Sequence, residues 1–433
     1  MRNLAATFKR VPYYRSSRNS LGLTNEFNAL MGLLKFTTSI FKSKTQPHKY
    51  FSTALSGFQE KVHSQPKTGV QAPLVLDREY LSLAFYQFQK LGEDELVHLR
   101  QRLLKDLEKF EVVGRIYLAT EGINAQFSCP VDRLEEVEKY FNSTEPNTSL
   151  KFPLPFAPTI EFNFSTFHKK AFKKLNVKIR KEIVSSDIPE GEYDPSNQPT
   201  YLSAEEWHSR LTELKTSGKT PLLFDVRNQY EHAIGHFEGA ILPDVDTFKE
   251  GMNQLIKDTK GQENKEIFMY CTGGIRCSKA GAILKSKGFA DVKMLKGGIT
   301  AYGNFIRSAK EASDKEDLPD KPKSFTSLFK GKNFTFDKKL GEPITDEIIS
   351  HCFQCGGPTD HYTNCRNILC HVLFLQCASC AARFNRTCGS QQCLDSPVFS
   401  KQENLDRKPT FNVHATRVRP QRCKSLLEAC QSD

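Results

Sequence analysis

The chain has 433 residues, 61 Lys+Arg against 50 Asp+Glu, a formal charge of +11, and 13 Cys. At 38% hydrophobic and 26% charged it holds enough apolar material for several cores, so global disorder is excluded; the length suits about two to three domains. No apolar run of roughly 18 residues occurs, which excludes a polytopic membrane protein and predicts no stable membrane association.

Residues 1–59 carry nine Lys/Arg and one acid, Glu26, amid hydroxyl residues and Phe. That composition predicts a mitochondrial transit peptide, with a plastid or cytoplasmic destination as the alternative, and Lys49-Tyr-Phe-Ser52 as a processing site. Most of the net charge then belongs to an address, and the rest of the chain is nearly balanced.

Residues 75–185 read as strand, helix, strand, strand, helix, strand, a ferredoxin-like α+β domain ending in a basic segment. Tyr80–Phe88 alternates as a strand. Leu96, Leu99, Leu103 and Leu107 share one helical face. Glu121-Gly122 marks a tight turn between two further strands, Leu134, Val137 and Phe141 a second helix, and Ile160–Phe164 a last strand. Residues 200–309 alternate short apolar strands (Leu222–Asp225, Ile267–Tyr270, Val292–Leu295) with helices, the pattern of a parallel α/β sheet. A capping box at Ser203-Ala-Glu-Glu206 opens the first of those helices. Residues 310–340 read as a linker, 345–395 as a cysteine-rich module, and 396–433 as a loosely ordered tail.

The most informative stretch is Met269-Tyr-Cys271-Thr272-Gly273-Gly274-Ile275-Arg276-Cys277. An apolar strand ends at Cys271, two glycines follow, and a helix begins. A thiol there faces the backbone N–H groups of Thr272, Gly273, Gly274 and Ile275 and the positive end of the helix, which favour the nucleophilic thiolate. The interval Cys271-x4-Arg276 is one residue shorter than a phosphate cradle of Cys-x5-Arg type, which argues for sulfur or related thiol chemistry over phosphoester hydrolysis. Arg276 would bind an anionic substrate. Cys277 reads as a packing residue at the helix start or as a partner that resolves a disulfide.

Here the chain resembles the rhodanese family. Asp225-Val-Arg227-Asn-Gln-Tyr-Glu231, Gly235-His236-Phe-Glu-Gly239 and Lys296-Gly-Gly298-Ile carry the likeness beside the Cys271 loop. It implies a rhodanese-like parallel α/β domain, a persulfide on Cys271, and Asp225 and Arg227 as supports of the loop. Over about residues 80–395, Arg115-Ile-Tyr-Leu-Ala-Thr-Glu121-Gly-Ile-Asn124 and Tyr270–Cys277 are similar to the bacterial oxygen-dependent tRNA uridine hydroxylases and to the eukaryotic rhodanese-like domain-containing proteins. That resemblance implies 5-hydroxylation of the wobble uridine of tRNA, organellar tRNA given the predicted address, with O2 as co-substrate and the anticodon arm as partner. No flavin, haem or two-His-one-carboxylate pattern accompanies it, so no organic cofactor is identified and the activation of O2 has no residue assigned.

Cys352-x2-Cys355, Cys365-x4-Cys370, Cys377-x2-Cys380 and Cys388-x4-Cys393 are repeated short thiol pairs, which suit tetrahedral Zn²⁺. Eight ligands predict two structural sites, with neighbouring or alternate pairs sharing an ion. His351, His361 and His371 read as bystanders. Lys169, Lys170, Lys173, Lys174, Lys178, Arg180 and Lys181 fall together without an acid between them, interleaved with Phe167, His168 and Phe172. Cations release counterions from phosphates and aromatic faces stack on unpaired bases, so this segment is the expected RNA-binding face. The tail basics Arg417, Arg419, Arg422 and Lys424 are a weaker one. Two activities remain: a tRNA uridine hydroxylase, or a sulfurtransferase moving sulfur from thiosulfate or a persulfide donor through Cys271. A metal-stabilised RNA-binding scaffold is the non-enzymatic reading.

Overall fold

Strand β1 (Tyr80–Phe88) lies antiparallel to β3 (Gly122–Pro130), with Tyr80 opposite Pro130 and Phe88 opposite Gly122. In this computed structural model the residues described are 78–142, 160, 162–165, 170–189, 191–242, 245, 247–315, 326–337 and 340–395. All of them fall in one unit, Asp77–Asp433. The expected address segment with its Lys49–Ser52 site, Lys169 with Phe167 and His168, and the 396–433 tail with its basic residues and Cys423 and Cys430 lie outside the described residues.

Helix α1 (Glu93–Lys109) follows β1 and buries Leu96, Leu99, Leu103 and Leu107 against the sheet, the face that the leucine spacing predicts. Strand β2 (Val113–Ala119) turns into β3 at Glu121. Helix α2 (Leu134–Asn142) then adds Leu134, Val137 and Phe141 to an aromatic core containing Phe85, Phe127 and Phe162. Strand β4 (Asn163–Ser165) pairs with β1. The basic segment then contributes a strand: β5 (Leu175–Ile179) runs parallel to β2 on the sheet edge, burying Val177 and leaving Lys178 in solvent. Leu175, Val177 and Ile179 alternate with Asn176 and Lys178, a short strand pattern set within a run of basic residues. The first sheet thus has the order β4-β1-β3-β2-β5.

The second sheet is wholly parallel, in the order β6 (Thr200–Leu202), β10 (Val292–Leu295), β9 (Ile267–Tyr270), β7 (Leu222–Asp225). Helix α3 (Ala204–Thr216) starts at the predicted box: Ser203 Oγ accepts from Glu206 N at 3.2 Å and Glu206 Oε2 accepts from Ser203 N at 2.8 Å. Short helix α4 (Gln229–His232) and strand β8 (Gly235–Phe237) follow β7, and α5 (Phe248–Thr259) precedes β9. Helix α6 (Ile275–Ser286) follows the Cys271 loop, and α7 (Gly298–Lys315) closes the layer. Every residue of β9 is buried, as a central parallel strand requires.

The region read as a 310–340 linker holds regular structure in its described residues. Helix α7 runs through Lys315, and strand β11 (Phe329–Asn333) lies antiparallel to β8 and to β12 (Glu342–Pro343), with Phe329 fully buried. Lysines at 330 and 332 alternate with buried positions along β11, so a high charge there marks the outer face of a strand and not a tether. The cysteine-rich module holds a two-stranded sheet of β13 (Tyr362–Asn364) and β14 (Leu373–Leu375), then α8 (Ala378–Arg383) and α9 (Gln391–Asp395). It packs on α4 through Ile234, Phe334, Tyr362 and Leu375. Among the described residues no helix is long and apolar enough to cross a membrane.

Candidate functional site

Cys271 stands directly after β9, where a buried strand gives way to the loop, and it is only 1% exposed. Gly274 N–H donates to its sulfur at 3.1 Å. Burial pushes the thiol up, but the Cys277 side chain, the Arg276 guanidinium and the N–H groups of Cys277 and Gly274 outweigh it and bring it down to about 5. The same proximity and burial hold the Cys277 thiol well above its ordinary range, so the pair divides into an anion and a neutral thiol. Gly274 has φ +102°, and a Cβ there would stand 2.7 Å from the Tyr86 hydroxyl, which reaches over from β1. Gly298 supports the loop from the other side: at φ +64°, a Cβ would lie 2.4 Å from the Cys271 carbonyl. Only glycine combines that dihedral with that closeness.

Arg276, expected to meet a substrate anion, is committed elsewhere. Its guanidinium forms a two-pronged pair with Glu231 at 2.6 and 2.7 Å, buried on both sides, and donates to Thr272 Oγ1. Thr272 Oγ1 donates in turn to Glu231. The charge needed to stabilise the thiolate is thus fixed in place and already balanced. Asp225 and Arg227, which the resemblance makes supports of the loop, form a fully buried pair. Asp225 also accepts from Tyr270 Oη at 2.9 Å and meets His232 Nδ1 at 2.8 Å. Burial would raise the Asp225 carboxyl, yet Arg227 and His232 hold it far below the usual carboxylate range. His236 stacks on His232 at 4.0 Å, in keeping with a structural reading.

Cys271, Thr272, Gly273, Ile275 and Arg276 border a cavity of about 920 Å³ whose other wall comes from the first sheet. Its lining includes Tyr86, Tyr117, Asn124 and Gln126 of that sheet, with Phe172 and Phe336 from outside it. Of the basic segment, Arg180 and Lys181 border the cavity. Lys170, Lys173, Lys174 and Lys178 are exposed without lining it. Arg180 lies over the Tyr117 ring at 5.3 Å.

The eight cysteines of the module form two groups of four, Cys352, Cys355, Cys377, Cys380 and Cys365, Cys370, Cys388, Cys393, their sulfurs within 4.8 Å of one another in each. Alternate pairs therefore share a site, a crossed arrangement. The donor set and spacing fit a tetrahedral metal ion at each. His351, His361 and His371 belong to neither group.

Residues 80–183 match the family described as UPF0176 acylphosphatase like domain, 205–304 the rhodanese-like domain, and 330–394 the rhodanese C-terminal region. A tRNA uridine(34) hydroxylase of Leptospira interrogans is 41% identical over 344 residues, 78% of this chain and 85% of the relative. Those of Buchnera aphidicola and Yersinia pestis are 38% and 37% identical, over 76% of this chain and 93% and 84% of theirs. The chain belongs to the tRNA uridine(34) hydroxylase family. Membership does not favour the sulfurtransferase alternative, since these relatives are named as hydroxylases. It also corrects the mitochondrial destination read from residues 1–59. The relatives are bacterial, with no organelle to enter, and a basic, Ser-bearing composition is not in itself an address.

Three residues central to this family member's site have no signal of their own in the sequence. Glu231 lies inside a motif but its partner is 45 positions away. Tyr86 looks like any strand tyrosine, and Lys279 like any helix lysine. Glu121 stands at the turn expected of it; it also accepts from Ile183 N, Tyr193 Oη and Lys279 Nζ.

Proposed function

We propose that this chain hydroxylates uridine 34 of tRNA, at C5 and with O2 as the oxygen source, in the cavity between the first sheet and the Cys271 loop. One observation carries the reading: a thiol held as an anion at neutral pH borders a cavity roomy enough for a nucleoside, and Arg180 and Lys181 border the same cavity. A base inside a stacked anticodon cannot reach a thiol 1% exposed, so the nucleotide must turn out of the loop, as enzymes acting on bases require. Tyr86, Tyr117, Phe172 and Phe336 offer faces for stacking, Asn124 and Gln126 amides for the uracil edge, and Arg180 and Lys181 charge for the flanking phosphates. Lys170, Lys173, Lys174 and Lys178, exposed outside the cavity, extend that charge toward the anticodon arm. In this reading Cys271 is the reacting group, Thr272, Gly273, Gly274 and Ile275 shape the N–H nest around it, and Arg276, Asp225 and Arg227 hold the loop. The two four-cysteine groups hold Zn²⁺, which supplies folding free energy to a module with little apolar core.

The test uses an unmodified tRNA transcript with uridine at position 34, incubated with the purified chain and a thiol reductant, which supplies the two electrons that take the second oxygen atom of O2 to water, in air, under argon and under ¹⁸O2. Nucleoside mass spectrometry should find 5-hydroxyuridine in air, none under argon, and one heavy oxygen under ¹⁸O2. Unchanged transcript in air, with Cys271 reduced and both metal sites filled, rejects the reading. Elemental analysis should return two zinc ions per chain.

A further inference from the structure

Lys279 stands one turn into α6, the helix whose start carries the Cys271 loop, and its side chain is 1% exposed. A buried ammonium persists only where its donors are met. Its Nζ donates to Glu121 Oε1 and Oε2 at 3.1 and 3.0 Å, to Glu182 Oε2 at 2.5 Å and to the Val184 carbonyl at 2.9 Å. None of these acceptors belongs to the parallel-sheet domain. Glu121 tops the β2–β3 turn; Glu182 and Val184 follow β5. Each carboxylate is fixed a second time, Glu121 by Ile183 N at 2.7 Å and Glu182 by Ser186 N and Oγ at 2.9 and 2.8 Å. Asn124 Nδ2 donates to the Ile183 carbonyl, and Arg180 N to the Leu118 carbonyl.

The segment so anchored begins with Arg180 and Lys181, the two basic residues of the described segment that border the cavity with Cys271. A single helical turn separates Lys279 from the loop that holds the thiol, and a helix transmits position rigidly over that length. We propose that Lys279 is a positioning residue for the hydroxylation: it sets the Arg180–Lys181 pair in register with Cys271, so that a phosphate held by the pair presents its base to the sulfur. The inference rests on the tRNA reading above and extends it to a residue that touches neither RNA nor the reacting atoms.

The experiment compares the full-length chain with Lys279→Met, Lys279→Arg, the double variant Arg180→Ala/Lys181→Ala and the triple variant with Lys279→Met. It measures KM and kcat on the unmodified uridine-34 transcript and Kd against salt. Two lost phosphate contacts flatten the plot of log K against log salt by about 1.5 to 2. Lys279→Met should show that flattening, equal to the double variant, with KM about tenfold higher and kcat also lowered, because the base is no longer presented to the sulfur. The triple variant should add nothing, and Lys279→Arg should recover most of the slope. A Lys279→Met chain with the wild-type slope, or a double variant with it, overturns the proposal, because a merely structural lysine moves melting temperature and not counterion release. Should Lys279→Met fail to fold by circular dichroism, Glu182→Gln carries the same comparison. A wild-type chain that neither binds nor modifies the transcript defeats the tRNA reading itself. An active wild type with unaltered slopes defeats only the positioning role.

Discussion

Cys271 and the thiols of the two four-cysteine groups share a side chain and differ in the balance of charge around it. The neighbours of Cys271 are donors: the Gly274 N–H at 3.1 Å, and a guanidinium held beside it by Glu231. A clustered thiol accepts an occasional N–H, as Cys365 does from Cys388 N at 3.3 Å, but it also faces other thiols: Cys355 to Cys377 at 3.6 Å, Cys365 to Cys393 at 3.8 Å and Cys370 to Cys388 at 3.9 Å. A thiolate ringed by donors is stable as a free anion and keeps its nucleophilicity. Four thiolates facing one another repel until a cation joins them, and then their lone pairs are occupied. What decides between a reagent and a staple is thus the sign of the charge that each sulfur meets.

The sharpest way to break this comparison is to exchange sulfur for oxygen in each place. Cys271→Ser should lower hydroxylation by about 10³-fold or more, since a serine hydroxyl stays protonated where the thiol ionises; the chain should stay folded, with a melting temperature lowered at neutral pH by loss of the ionised thiol's contribution. Residual activity near wild type would remove Cys271 from the chemistry. Cys380→Ser, or metal removal by a strong chelator, should act on folding instead. Circular dichroism and limited proteolysis should report loss of the 345–395 module, several kcal/mol being withdrawn with each ion. Because that module packs on α4 beside Glu231, activity should fall with it and return when zinc does. A chelated chain that keeps its proteolytic pattern would make the groups something other than metal staples.

Between these extremes stands the pair that charges the loop. Glu231→Gln leaves Arg276 buried without its counterion, which costs about 3–5 kcal/mol. Thermal melting should show the loss, and Arg276→Met added to it should recover part, since the orphaned charge then goes. No recovery would mean that the pair contributes shape and not charge balance.

The Cys271 loop is plain in the sequence because its strand, two glycines and helix start are contiguous, and contiguous geometry leaves a contiguous pattern. The short spacings of the eight module cysteines are as legible, yet which pairs come together is not. Which knuckles share an ion depends on how β13 and β14 bring alternate pairs together. Arg276 reads as a substrate ligand when seen alone, because its true partner, Glu231, comes from another element. β11 hides inside a supposed linker because it pairs with β8, far off in the chain, and its alternate positions are lysines. Lys279 is the extreme case: its four acceptor atoms all come from another domain, and no local pattern could announce them.

The smallest effect expected concerns pH. Cys271 should titrate near 5 in the folded chain, against an ordinary value near 9.0. The rate of iodoacetamide alkylation at Cys271 should therefore be level from about pH 6 to 8.5 and fall tenfold per unit below 5, whereas an unfolded cysteine keeps gaining rate up to pH 9. Because the folded value is depressed, ionisation stabilises the fold fully above about pH 9. That contribution declines as pH falls and is gone below about 5. Cys277→Ala takes away the largest of the groups that hold the thiolate, so its alkylation midpoint should move up. An unmoved midpoint would assign the acidity to Arg276 and the backbone N–H groups alone. Alkylation that still climbs between pH 7 and 9 in the wild type would place Cys271 with ordinary thiols and erase its difference from the clustered ones.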